Sequence, residues 1–81
     1  MITKIVKYGA KWCGPCRVLD KTLEKVKGVE IVKYDLDDMP ELADKENIRN
    51  IPTIVFYNND KEVKKITGAI SLTEINKIIN E

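Results

Sequence analysis

Two runs rich in β-branched residues, Ile2 to Tyr8 and Val29 to Leu36, flank a stretch whose apolar residues recur at helical spacing. That pattern restricts the fold more than any other feature of the chain. From Pro15 to Lys27, the residues Cys16, Leu19, Leu23 and Val26 fall three and four positions apart, so one face of a helix collects them. Gly9 ends the first run and Gly28 stops the helix. Strands joined by a helical crossover lie parallel, so the pattern predicts a βαβ unit.

The remaining segments extend that unit. Asp37-Asp38-Met39-Pro40 reads as the start of a short helix to Lys45, with Asp38 as its cap and Pro40 near its first turn. Thr53 to Tyr57 and Glu62 to Thr67, separated by Asn58-Asn59-Asp60, predict an antiparallel hairpin. Ser71-Leu72-Thr73-Glu74 fits a capping box, and Leu72, Ile75, Ile78 and Ile79 give the last helix an apolar stripe. The order is βαβαββα, an α/β layer structure with a four-stranded mixed sheet flanked by helices. The length of 81 residues leaves room for one domain, residues 1–81, with one modest core.

Charge and cysteine content narrow the function classes. Charged residues make up 33% of the chain but nearly cancel, to a formal net charge of +1, so no single-signed field points to nucleic acid. Charges interrupt every apolar run of Met1-Ile2-Thr3-Lys4-Ile5-Val6-Lys7-Tyr8 before it reaches signal-peptide or membrane-span length. A cytoplasmic location and no membrane partner are therefore expected. In a reducing compartment a close cysteine pair is more often catalytic or metal-binding than structural. With two cysteines and no histidine, a zinc site would need a dimer or carboxylates, and no metal is expected. Asp35, Asp37 and Asp38 lack the spacing of a calcium loop and read as a strand end and helix cap.

Cys13 and Cys16 sit between the first strand and the first long helix. Unpaired backbone N–H groups and the positive end of the helix dipole favour thiolate there. Cys13 reads as the outer, attacking sulfur and Cys16, one turn inside, as the resolving one. Attack by Cys13 on a disulfide forms a mixed disulfide, which a second thiol held within bonding distance releases faster than an external thiol. Gly14 lets another backbone approach, and Pro15 removes a donor and stiffens the first turn. A purely structural staple is the weaker reading, because closing so short a loop gives only about 2 kcal/mol. Trp12 reads as an apolar rim beside the reactive sulfur, with ordinary core as the alternative.

Trp12-Cys13-Gly14-Pro15-Cys16 resembles the thioredoxin active-site motif. Asn47-Ile48-Arg49-Asn50-Ile51-Pro52-Thr53 resembles that family's segment around its cis-proline, and Thr67-Gly68-Ala69 its groove-bordering glycine. The resemblance implies a minimal thioredoxin-like fold and a thiol–disulfide oxidoreductase that reduces protein disulfides. It implies no bound cofactor beyond the redox-active Cys13–Cys16 disulfide, and a flavoprotein of the thioredoxin-reductase type as electron donor. Roles in electron transport and cell redox homeostasis follow from it, and a monomer is expected. Pro52 would be cis and face the disulfide, and Trp12, Ile51, Pro52, Gly68 and Ala69 would border the substrate groove. Without the resemblance, Pro52 would simply begin an edge strand.

The chain departs from the family where its buried aspartate falls at Lys7 and its helix proline at Lys21. Usual thioredoxins also begin with a further strand and helix, for which there is no room before Ile2, so a glutaredoxin-sized architecture is expected. Lys7, with Lys33, would favour the thiolates electrostatically; alternatively Lys7 snorkels to solvent from a strand end. Two rival functions remain: a glutathione-dependent, glutaredoxin-like reductase and a scaffold subunit with incidental cysteines. Gly14-Pro15 between the cysteines, and Gly68-Ala69 in place of paired glycines, argue against the first.

Overall fold

The computed structural model describes residues 1–81. Its elements are β1 (Lys4–Gly9), α1 (Gly14–Leu23), β2 (Glu30–Asp35), α2 (Glu41–Lys45), β3 (Thr53–Asn58), β4 (Lys61–Thr67) and α3 (Leu72–Ile79). The order βαβαββα is the expected one. The sheet runs β2-β1-β3-β4, with β1 parallel to β2 and antiparallel to β3, and β3 antiparallel to β4. It is a mixed α/β sheet of four strands, as expected.

Alternation along β1 sorts the layers, because successive side chains of a strand point to opposite faces. Ile5 joins Ile54 and Phe56 beneath Leu19, Leu23 and Val26 of the α1 segment and Ile75 and Ile78 of α3. Val6 and Tyr8 point the other way, with Val55 and Ile48, and receive Leu42 of α2. Fully burying such side chains contributes about 1.5–3 kcal/mol each. Tyr8 stacks on Tyr34 with ring centroids 5.7 Å apart. Burial, reinforced by the charge of Glu46, pushes its phenol up to about 12.

Two helix boundaries depart furthest from the sequence expectation. The first helix ends at Leu23 rather than Lys27, because its last turn tightens: the N–H groups of Lys25 and Val26 donate to the carbonyls of Thr22 and Leu23. Val26 is still buried, so the apolar spacing persists beyond the helix that it suggested. Gly28 adopts φ +75 and turns the chain into β2 instead of capping the helix. Asp38 does not cap α2; Pro40 occupies that place with no side-chain bond. The N–H groups of Asp38 and Met39 instead donate to the Asp35 carbonyl, closing a separate turn ahead of the helix.

The last helix follows its sequence signature. Ser71 Oγ accepts from the Glu74 N–H at 3.2 Å, and Ile75 and Ile78 are buried, with Leu72 and Ile79 at the margin of the same cluster. No helix is long and apolar enough to cross a membrane.

Candidate functional site

The site forms where β1 ends and α1 begins. Cys13 is the N-cap of α1, with extended backbone, and its Sγ accepts a hydrogen bond from the Cys16 N–H at 3.2 Å. That N–H is one of the donors that a helix start leaves without a carbonyl partner. Pro15, in the first turn, lacks an N–H and costs no bond there. Cys13 and Cys16 form a disulfide, with Cα atoms 5.2 Å apart. Cys13 is 5% exposed and Cys16 1%, so both residues are well covered.

Ala10 and Ile51 pack against the two cysteines and supply an apolar surround. The Ile51–Pro52 bond is cis, and Pro52 is buried. Because β3 lies between β1 and β4, Pro52 leads into a central strand, which overturns the edge-strand alternative. The Gly68 N–H donates to the Pro52 carbonyl at 2.8 Å, and Gly68 adopts φ +107, so the loop after β4 is tied to the proline by a residue free of a side chain. Ala69 follows it on the surface. Trp12 is 69% exposed, which excludes the core alternative. Its indole N–H donates to Asp37 Oδ2 at 2.8 Å, so the exposed ring is held in place.

Lys7 does not snorkel. Its side chain is only 7% exposed, and its ammonium donates to Asp20 Oδ1 at 2.7 Å. Lys33 stands directly opposite Lys7 in the β1–β2 register, with its Nζ 3.7 Å from the same carboxylate oxygen. Like charges side by side on one sheet face repel; Asp20, reaching in from α1, lies against both.

Two residues escaped the sequence reading. Asp20 falls on the helix beside the apolar positions Leu19 and Leu23, and nothing in its spacing marks it as the partner of a strand lysine. Gly9 reads only as the end of a strand. Its backbone needs no glycine, since its φ is not among the positive ones. A β-carbon built on it would lie 2.9 Å from Cys16 Sγ and 3.2 Å from both Cys16 Cβ and Lys7 Cε. The glycine is there because the resolving sulfur and the lysine arm occupy the space a side chain would take.

Comparison with known proteins agrees with this geometry. The Thioredoxin family model matches residues 2–81. The chain is 32% identical over 81 residues to the thioredoxin of Chlamydia caviae, covering 95% of this chain and 79% of that protein. It is 36% identical over 69 residues to Thioredoxin H2 of Arabidopsis thaliana, covering 80% of this chain and 52%, about half, of that longer protein. The crystal structure of Fasciola hepatica thioredoxin superposes with a TM-score of 0.82 at 34% identity, covering 95% of this chain and 77% of that one. The match favours thioredoxin over glutaredoxin chemistry, and with the disulfide at the helix start it makes the chain a member of the thioredoxin family, a protein disulfide oxidoreductase working by dithiol–disulfide exchange.

Proposed function

We propose that the chain, as a single domain over residues 1–81, reduces protein disulfides with Cys13 as nucleophile and Cys16 as resolving thiol. The observation that carries this assignment is the Cys16 N–H aimed at Cys13 Sγ across the helix start. A donor fixed on that sulfur stabilises its thiolate, the reactive form. Cys13 thiolate attacks one sulfur of a substrate disulfide and expels the other as a thiolate. Cys16, as thiolate, then attacks Cys13 Sγ, the bond to substrate breaks, and the second substrate thiolate departs. The substrate gains two electrons and the cysteine pair becomes the disulfide.

Gly14 leaves open space beside the attacking sulfur: a β-carbon built there meets nothing within 4 Å. In this reading the indole of Trp12, held by Asp37, with Ile51, Pro52, Gly68 and Ala69 borders the path of an extended substrate segment. Backbone groups there offer hydrogen bonds that do not depend on substrate sequence. In this reading the protein works as a cytoplasmic monomer within an electron-transport chain, and family membership supports a flavoprotein of the thioredoxin-reductase type as its electron donor.

Turnover of insulin disulfides, driven either by NADPH with such a flavoprotein or by glutathione with its own reductase, tests the donor. The flavoprotein system is expected to sustain reduction and glutathione to fail. The reverse result overturns the assigned donor.

A further inference from the structure

A charged network lies directly behind the inner sulfur. Lys7 Cε and Cys16 Sγ both crowd the space over Gly9, each about 3 Å from the same point. The Lys7 ammonium is nearly sealed from solvent and held by Asp20, which is itself one-third exposed. A cleft of about 370 Å³ opens beside them, reaching Gly9 and Ala10. From α1 the charges facing it are Asp20 and Arg17; from the loop before α1, Lys11. From β2 they are Lys33 and Asp35, with the phenol of Tyr34. From β3, the register places neutral Ile54 opposite Lys7.

We propose that Lys7, anchored by Asp20, is a positioning residue that favours ionisation of Cys16 and so sets the pH dependence of the resolving step. This rests on the assignment of Cys16 as the resolving thiol. In the mixed disulfide, Cys16 carries a proton that it must lose before it can attack. The proton leaves to solvent; Cys16 Sγ then bonds to Cys13 Sγ, and the Cys13–substrate bond breaks with its electron pair on the substrate sulfur. A cation close behind Cys16 stabilises the thiolate formed on the way.

Asp20 has two consequences of opposite sign. Its carboxylate pairs with the buried ammonium and offsets the cost of burying that group. It also offsets part of that charge, leaving a net single positive charge on the group of Lys7, Asp20 and Lys33. Lys7→Met removes the nearest positive charge and leaves Asp20 with Lys33, a neutral pair. The double substitution Lys7→Met with Asp20→Asn leaves Lys33 as the one charge of the three, on the neighbouring strand. Packing is similar in both variants, and replacing a buried ion pair by neutral groups is tolerated by folds. An electrostatic role therefore fixes an order: the Cys16 midpoint is lowest in the native protein, higher in the double variant and highest in Lys7→Met.

Stopped-flow reaction of the reduced protein with the aromatic disulfide 5,5′-dithiobis(2-nitrobenzoate) separates the steps. The first released thiolate reports attack by Cys13 and depends on reagent concentration; the second reports resolution by Cys16 and does not. The pH midpoint of the second phase is expected to rise by about one unit in Lys7→Met, the effect of one charge a few ångströms away, with the double variant between. Coincident midpoints, or the reverse order, overturn the proposal. Should Lys7→Met fail to fold, native protein against the double variant still decides it. Release of only one thiolate equivalent by the native protein, which stays as the mixed disulfide, instead overturns the role of Cys16.

Discussion

Replacing Cys16 by serine is expected to stop turnover while leaving the first chemical step intact. Cys13 in that variant keeps its helix cap and the amide at residue 16, because serine retains the backbone N–H that points at its sulfur. It therefore still attacks a substrate disulfide, but nothing held at bonding distance releases the product. Intramolecular thiols gain effective concentrations of roughly 10⁵ M or more over free ones. Steady-state reduction of insulin should fall at least about a thousandfold, and a covalent complex with substrate should accumulate and dissolve on adding dithiothreitol. Cys13→Ser should fall as far without forming any complex, since the remaining sulfur is 1% exposed and lies a turn inside the helix. Trapping by Cys13→Ser rather than by Cys16→Ser would reverse the roles assigned to the two sulfurs.

Gly9→Ala should produce the second-largest effect, although it adds one methyl group at a strand end remote from the substrate path. The new carbon would stand 2.9 Å from Cys16 Sγ, a distance at which something must move, and its other near neighbours are Cys16 Cβ and Lys7 Cε at 3.2 Å. The lysine arm has little freedom to yield, because its far end is bound to Asp20. Cys16 must shift instead, either by rotation or with the start of α1. Misplacing a reacting atom on this scale costs about 10- to 100-fold in rate. The loss should appear in the resolving phase, with attack by Cys13 nearly unchanged. Overpacking should also cost about 1–3 kcal/mol of stability, readable as a lower urea midpoint. A native resolving rate in Gly9→Ala would show that the space over Gly9 is not what holds Cys16 in place.

These two expectations mark what the amino-acid order discloses and what it hides. The cysteine pair was legible because a helix start announces itself locally: apolar spacing from Cys16 onward, with glycine and proline in the first turn, places both sulfurs without any knowledge of the sheet. The hairpin and the capped last helix were legible for the same reason, as Asn58-Asn59-Asp60 and Ser71 to Glu74 are local signals. Asp20 and Gly9 acquire meaning only when α1 docks on β1, and the distance between those elements is set by packing across the whole layer. Lys7 could be singled out only because the family resemblance expects a carboxylate there. Its partner could not, because a helix residue 13 positions further on has no local relation to it. The early end of α1 was hidden differently: Val26 satisfies the helical spacing by burial alone, after the backbone has left the helix.

The two lysines and Asp20 form one electrostatic arrangement beside the active-site helix. Two ammonium groups occupy neighbouring strands in direct register, and the carboxylate that reconciles them comes from the active-site helix. Position and charge of the inner sulfur's surroundings are therefore coupled through α1, the element that Cys13 caps.

The chemistry of this site depends most on Cys13 being ionised near neutral pH because a helix begins at it. Rapid alkylation of the fully reduced protein with iodoacetamide, followed across pH with the modified residue identified by mass, measures this directly. Cys13 is expected to react first and to titrate clearly below the ordinary thiol midpoint of about 8.5, with Cys16 protected. Equal, slow modification of both cysteines with an ordinary midpoint would contradict it.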